Sequence, residues 1–329
     1  MSYNILGYGE MIRDRVRMDA YAEALRRAVR PGCVVLDIGT GTGIFALLAC
    51  RLGARRVFAV EVNDAVHVAR EIAVANGYAD RVTFIQESSL RVSLPEPADV
   101  IVSDLRGVLP LYKGHIPAVA DARRLLAPGG VLIPQRDTLW AAVVDAAEAY
   151  LPIISPWEER IFGLDMSAGR TAIVNSWRKA PVKAEQCLVE PLPWAVLDYT
   201  RIDAPNIQGE LTWTVARPGT GHGVSVWFET QLFADVGFST APGRPPTVYG
   251  QAFFPWLRPV PLEAGDRVSV TLWARLTGED YAWHWHTQVC PPEPGAAPKA
   301  QFTQSTVLAA FLAPGQLFDF LAGEPHDPA

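Results

Sequence analysis

The sequence predicts an α/β chain in two parts. A parallel sheet covered by helices on both faces comes first, and the antiparallel strands of a barrel or sandwich follow. Three observations carry this reading. Before Pro134, short β-branched runs alternate with stretches of helical period, the signature of strand–helix–strand units. A glycine-rich turn separates the first strand from the helix after it. Beyond Pro134, prolines and tryptophans multiply and short runs of alternating polarity appear, as half-buried antiparallel strands require.

The buried strands of the first part are Val34–Ile38, Val57–Glu61, Val82–Ile85, Val100–Ser103 and Val131–Ile133. Between them Ile44–Leu52, Asp64–Asn76 and His115–Leu126 read as helices, with Asp64 as an N-cap and Gly77 as a stop. In the second part Glu210–Val215, Val224–Phe233, Arg267–Arg275 and Ala282–Val289 read as strands, divided by turns such as Arg217-Pro218-Gly219. The boundary falls near Pro134–Asp137, giving domains 1–134 and 135–329. Residues 315–329 are expected to fray.

With 49% hydrophobic and 19% charged residues the chain has material for a large core. It holds no run of ~18 apolar residues to span a bilayer, which predicts no membrane partner. Its N-terminus lacks the basic and apolar regions of a secretion signal, so a soluble, cytoplasmic protein is expected. The net charge of −6, with scattered basic residues, argues against a nucleic-acid partner. Cys33, Cys50, Cys187 and Cys290 lie far apart and suggest reduced structural thiols. No metal is predicted. His284 and His286 share a strand face, but no third ligand is evident and Trp283 and Trp285 are expected inside.

The chemistry gathers in Val34-Val35-Leu36-Asp37-Ile38-Gly39-Thr40-Gly41-Thr42-Gly43. Gly39, Gly41 and Gly43 let the backbone turn sharply and come close to a ligand. Glu61 ends the second strand, beside the glycine turn, where a carboxylate can accept both hydroxyls of a ribose. A dinucleotide site would share these features. Three details favour S-adenosylmethionine instead. Ile44 stands where the dinucleotide pattern needs a further glycine. Asp37 would repel a pyrophosphate yet suits a cationic amino-acid group. Ala127-Pro128-Gly129-Gly130 precedes the fifth strand, as is common in methyltransferases. Thr40 and Val62 flank the same turn and strand end. Ser88 and Ser89 follow the third strand, where the adenine of this cofactor usually lies.

Further along, the chain resembles the protein arginine methyltransferases. Glu10-Met11-Ile12-Arg13-Asp14-Arg15-Val16-Arg17, with Ala20-Tyr21, is similar to the helix that family lays over its cofactor. The resemblance implies Arg17 at the cofactor carboxylate and Met11 near the sulfonium. Trp157 and Phe162-Gly163-Leu164-Asp165-Met166-Ser167 resemble the start of the family's dimerisation arm, implying an arm of about 155–188 and a head-to-tail homodimer. Gly237-Phe238-Ser239-Thr240-Ala241-Pro242 resembles a signature before its substrate loop. Implied throughout are a Rossmann-like S-adenosylmethionine-binding domain, a β-barrel domain and a protein or peptide arginine as methyl acceptor.

The chain departs from the family at the acceptor. Its double-glutamate loop reads Ser103-Asp104-Leu105-Arg106-Gly107-Val108-Leu109-Pro110-Leu111-Tyr112-Lys113 here. The first glutamate becomes Asp104 and the second aligns with Lys113. The family's Thr-His-Trp aligns with Thr247-Val248-Tyr249. Tyr3 or Tyr8 stands for its upstream tyrosines. Asp104, Tyr249 and Tyr8 are thus the candidate catalytic residues, with Asp104 orienting an acceptor nitrogen or oxygen or taking its proton. His115 reads as a helix-end residue near this loop. The departures leave room for a small-molecule acceptor, or for a silent relative that only binds cofactor or a partner. A dehydrogenase is the most distant reading.

Overall fold

The computed structural model describes residues 5–309. The frayed C-terminal tail expected at 315–329, and Tyr3, lie outside them. The chain divides into two compact units. The first comprises Met1–Trp140, Ala195–Pro205 and Trp227–Gly250, and the second Ala141–Trp194, Asn206–Val226 and Gln251–Ala329.

The first unit opens with α1 (Ile5–Arg13) and α2 (Arg15–Ala28). Asp14 caps α2 by accepting the Arg17 amide, which satisfies one donor of the first turn. Arg17, Met18, Tyr21, Ala24, Leu25 and Ala28 form its buried face, at helical spacing. Then come β1 (Val34–Ile38), α3 (Ile44–Arg51), β2 (Arg56–Val60), α4 (Ala65–Ala75), β3 (Val82–Ile85), β4 (Ala98–Ser103), α5 (His115–Ala122) and β5 (Leu126–Ile133). All five strands pair in parallel. Every residue of β1 is buried, as a strand covered on both faces must be.

The strand order is β3-β2-β1-β4-β5. After β3 the chain returns to the middle, so connections leave β1 and β4 in opposite directions. That reversal opens a crevice at their carboxyl ends. The glycine turn follows β1 and the Asp104 loop follows β4, so both line the crevice.

Two expectations need correction. The helix from His115 ends at Ala122, and a single turn of 3-10 helix leads directly into strand at Leu126. Ala127-Pro128-Gly129-Gly130 lies inside β5 rather than before it. Pro128 has no amide to give and Gly129 takes φ +75°, so the ladder slips between the pairs Ala98–Leu126 and Val100–Val131.

The remaining strands are β6 (Arg136–Val144), β7 (Arg178–Lys179), β8 (Leu192–Asp198), β9 (Ile207–Thr214), β10 (Gly219–Phe233), β11 (Val236–Ser239), β12 (Ala252–Leu262), β13 (Arg267–Thr277), β14 (Asp280–Cys290) and β15 (Ala300–Ser305). The second unit holds an antiparallel sheet of order β15-β14-β13-β9. Trp283 and Trp285 are buried on one face of β14. On the other, His284 meets the edge of Trp273 and His286 Nδ1 lies 3.0 Å from Thr303 Oγ1. The arm region is a helical hairpin, α6 (Ala147–Glu158) and α7 (Ala168–Val174). Tyr150, Ile154 and Val174 bury against Val182 and Phe253. Gly169 admits the Trp157 ring, which a Cβ there would meet at 2.2 Å. Ile161, Phe162, Leu164 and Met166 stand exposed at the tip, Phe162 by 99%.

Candidate functional site

A cavity of about 360 Å³ lies in the first unit. Ten of the site residues expected from the sequence share its wall: Tyr8, Met11, Arg17, Gly39, Thr40, Glu61, Val62, Ser88, Ser89 and Asp104. Leu105, Tyr112, Lys113, Gly114 and His115 line it beside Asp104. Asp37, Gly41, Gly43 and Tyr249 stand behind the wall and support it.

The glycine end is held by short, local bonds. Gly39, Gly41 and Gly43 have φ of +72°, +55° and +87°, which a side-chain-bearing residue adopts only with strain. A Cβ on Gly41 would meet the Tyr8 ring at 2.4 Å, and one on Gly39 the Leu105 side chain at 2.2 Å. Glu61 Oε2 accepts the Gly41 amide and Oε1 the Asn63 amide, each at 2.9 Å. Asp37 Oδ2 accepts from Thr40 Oγ1 at 2.6 Å and from the Ala46 amide at 3.0 Å. Its Oδ1 is buried with no hydrogen-bond partner among the described residues. Burial pushes the Asp37 carboxyl up to about 7 against these two donors.

This end fits S-adenosylmethionine. The orphaned Asp37 Oδ1 is a buried acceptor of the kind an ammonium group satisfies. Each Glu61 oxygen keeps a lone pair for a ribose hydroxyl, and Ser88 and Ser89 lie where the adenine is expected. Val62 offers an apolar surface, 68% exposed.

The other end is built from charges paired with one another. Asp104 Oδ2 accepts from Arg17 Nε at 2.6 Å and from Tyr249 Oη at 2.5 Å, and Oδ1 accepts from Arg106 Nε at 3.1 Å. Burial alone would raise the Asp104 carboxyl, but Arg17 and Arg106 outweigh it and hold it at about 2. Arg106 is 1% exposed. Its Nη1 reaches Asp137 Oδ1 at 3.0 Å and Thr230 Oγ1 at 2.9 Å, and its Nη2 donates to Tyr21 Oη. The rings of Phe228, Phe238, Tyr21 and Tyr249 surround its guanidinium, favourable company for a desolvated cation. Tyr199 Oη donates to Asp137 Oδ2 at 2.6 Å.

Arg17 has a second environment beyond Asp104. Its Nη1 reaches the Met11 carbonyl at 3.2 Å, and its guanidinium lies 4.9 Å from the Phe45 ring centroid. The Val248 amide donates to Asp14 Oδ2 at 2.8 Å, so the N-cap of α2 also anchors the segment carrying Tyr249. Lys113 takes φ +44° and sets its Nζ 5.4 Å from the Tyr112 ring centroid.

Sequence reasoning missed Arg106, Asp137, Tyr199 and Thr230. One signal was present. Arg106 and Asp137 are opposite charges set beside strands of the apolar core, Arg106 two residues after Asp104 and Asp137 next to Arg136, and a charge drawn into a core needs a partner.

Comparison with known proteins shows the family. Residues 21–149 match the model of ribosomal protein L11 methyltransferase, and residues 135–282 match the arginine methyltransferase oligomerization subdomain. The arginine N(omega)-methyltransferase of Streptomyces achromogenes subsp. streptozoticus is 30% identical over 278 residues, covering 81% of this chain and 76% of that protein. The chain belongs to the protein arginine methyltransferase family. Probable protein arginine N-methyltransferase 6 of Arabidopsis thaliana is 37% identical over 242 residues, covering 70% of this chain and 55% of that protein. Probable protein arginine N-methyltransferase 6.1 of Oryza sativa subsp. indica is 38% identical over 171 residues, 51% of this chain and 45% of that protein. The chain spans about half the length of these two plant family members. Among solved structures, the Trypanosoma brucei PRMT1 enzyme-prozyme heterotetrameric complex with AdoHcy superimposes with a TM-score of 0.82 at 25% identity, covering 91% of this chain and 96% of that one.

Proposed function

We propose that this chain transfers a methyl group from S-adenosylmethionine to a guanidinium nitrogen of arginine. The carrying observation is one cavity whose wall runs from the glycine turn and Glu61 to Asp104 and Arg17. Donor and acceptor ends thus face a common space. When bound, the cofactor supplies an electrophilic methyl on a sulfonium. Glu61 would hold the ribose, Asp37 the ammonium group, and Arg17 the carboxylate alongside its bond to Asp104. Tyr8 and Met11 cover the reacting end. Asp104 orients the acceptor nitrogen, with Tyr249 fixing its carboxylate from behind. Transfer would leave the S–C electron pair on sulfur as the N–C bond formed, and the proton displaced from the nitrogen would pass to solvent, because Asp104 is committed to Arg17, Arg106 and Tyr249. Holding the nitrogen in line with the methyl supplies most of the acceleration.

Two acceptor forms share this chemistry, free arginine and arginine in a peptide or protein. The likeness to enzymes named arginine N(omega)-methyltransferase and protein arginine N-methyltransferase 1 supports an arginine acceptor in either form. Incubation with labelled cofactor, L-arginine and an arginine–glycine peptide tests both. Label in either product supports the reading. Binding of S-adenosylhomocysteine without transfer to either would instead favour a silent partner, and binding of NAD in its place would overturn the cofactor assignment.

We further propose a homodimer formed through the α6–α7 hairpin. Its exposed Phe162, Leu164 and Met166 form an apolar tip of the kind that marks an interface. Phe162→Asp should leave a monomer by sedimentation; an unchanged mass would remove the hairpin from that role.

A further inference from the structure

His115 lines the acceptor end of the cavity and is otherwise buried. Its Nε2 lies 3.1 Å from Tyr199 Oη. Tyr199 spends its single hydroxyl proton on Asp137, so its oxygen can only accept from the imidazole. Nε2 therefore carries the ring proton, and Nδ1 is left with a lone pair. That Nδ1 is buried with no hydrogen-bond partner among the described residues. A buried acceptor without a donor is costly, and one in a ligand cavity marks a position a ligand donor would fill.

The state of Asp104 sharpens this. A carboxylate has about four lone-pair positions. Arg17 and Tyr249 take two on Oδ2 and Arg106 takes one on Oδ1. The remaining position gives one hydrogen bond to an acceptor, which fixes a nitrogen's distance but not its rotation. A second acceptor is needed, and Lys113 has none to offer.

We propose that His115 Nδ1 is that second acceptor, so that a guanidinium is gripped between the Asp104 carboxylate and a neutral imidazole. This rests on the methyl-transfer reading above. The imidazole stays neutral because burial and the nearby Arg106 charge hold His115 down at about 3. The grip thus has fixed direction and a single negative charge. His115 is a catalytic residue in this scheme, and Tyr199 and Asp137 are positioning residues that set its tautomer.

The test separates the two ring nitrogens. In Asn the side-chain oxygen falls near the place of Nδ1, and in Gln the amide falls near that of Nε2. His115→Phe should raise KM for L-arginine about tenfold through loss of one hydrogen bond, with S-adenosylhomocysteine affinity unchanged. His115→Asn should recover part of the loss and His115→Gln none. Recovery by Gln alone, or equal loss in both, would make His115 a packing residue and overturn the proposal. A second measurement needs neither a variant nor turnover. In protein labelled with 15N-histidine and saturated with S-adenosylhomocysteine, L-arginine should move the His115 Nδ1 resonance, while L-norleucine should not. An unmoved resonance overturns the proposal. Failure to bind S-adenosylhomocysteine at all would overturn the methyl-transfer reading instead.

Discussion

The two ends of the cavity solve the problem of a buried carboxylate in opposite ways. At the glycine end, Asp37 has only neutral donors, and burial lifts its carboxyl to about 7. At the acceptor end, Asp104 has two arginines, and its carboxyl falls to about 2. One acid waits for a positive charge from outside, and the other has already been given its cations by the chain. A site that keeps an acid unpaired is built to receive a cation. A site that pairs its acid internally has exchanged part of that capacity for order.

The largest expected effect comes from breaking the acceptor end. Arg106→Ala leaves Asp104 and Asp137 buried and underpaired, and should cost about 3–5 kcal/mol in urea unfolding. Arg106→Met combined with Asp137→Ala removes the opposed charges together and should cost much less. Equal losses would mean the pair is not coupled. Next is Asp104→Asn, which keeps shape but weakens the orientation of the acceptor and should lower kcat by about a hundredfold. Near-normal turnover would remove Asp104 from the reaction. At the glycine end, Glu61→Ala should weaken S-adenosylhomocysteine binding by about 1–3 kcal/mol in calorimetry. Unchanged affinity would show that Glu61 serves only the Gly41 amide.

The smallest effect is the most direct reading of the contrast. Asp37 has a folded-state pKa above its unfolded value. It therefore favours folding most at acid pH, and that contribution fades as pH rises through about 4 to 7. Asp104 has the opposite sign, with a contribution present above pH 4 and lost as pH falls toward 2. Chemical denaturation of the cofactor-free protein across this range should show both slopes. Asp37→Asn should flatten the upper one only, and an unaltered profile would mean that Asp37 ionises freely.

How far the sequence could be read follows the same division. The strands of the parallel sheet, the glycine turn, Asp37 and Glu61 were legible because their meaning is local. A positive φ needs glycine within a residue or two of a strand end, and a strand-end acid falls beside it by topology. The acceptor end was legible at Asp104, and at Arg17 and Tyr249 only through the family resemblance. Its partners come from α2, the loop after β4, β6, residues 195–205, β10 and Tyr249, and no spacing in the chain links them. His115 read as an ordinary helix-end residue because its meaning lies in the proton of Tyr199, itself fixed by Asp137. The start of the fifth strand was misplaced for a simpler cause. Pro128 and Gly129 announce a turn, yet neighbouring β4 holds that stretch in the ladder as a bulge.

Arg106 also constrains how this acceptor loop can change over time. It contacts Asp104, Asp137, Thr230 and Tyr21 at once, so each of these positions sets what the others tolerate. A second acid placed at Lys113 would not by itself recreate a paired-carboxylate grip, because Arg106 would still occupy the first. Losing Arg106 alone leaves Asp137 with only the neutral Tyr199 donor, and losing Asp137 alone leaves Arg106 sharing Asp104 with Arg17. The route out of this arrangement passes through at least one poorly folding intermediate or through a coordinated double replacement. Buried charge pairing of this kind works as a ratchet on inheritance: easy to keep, hard to undo one step at a time.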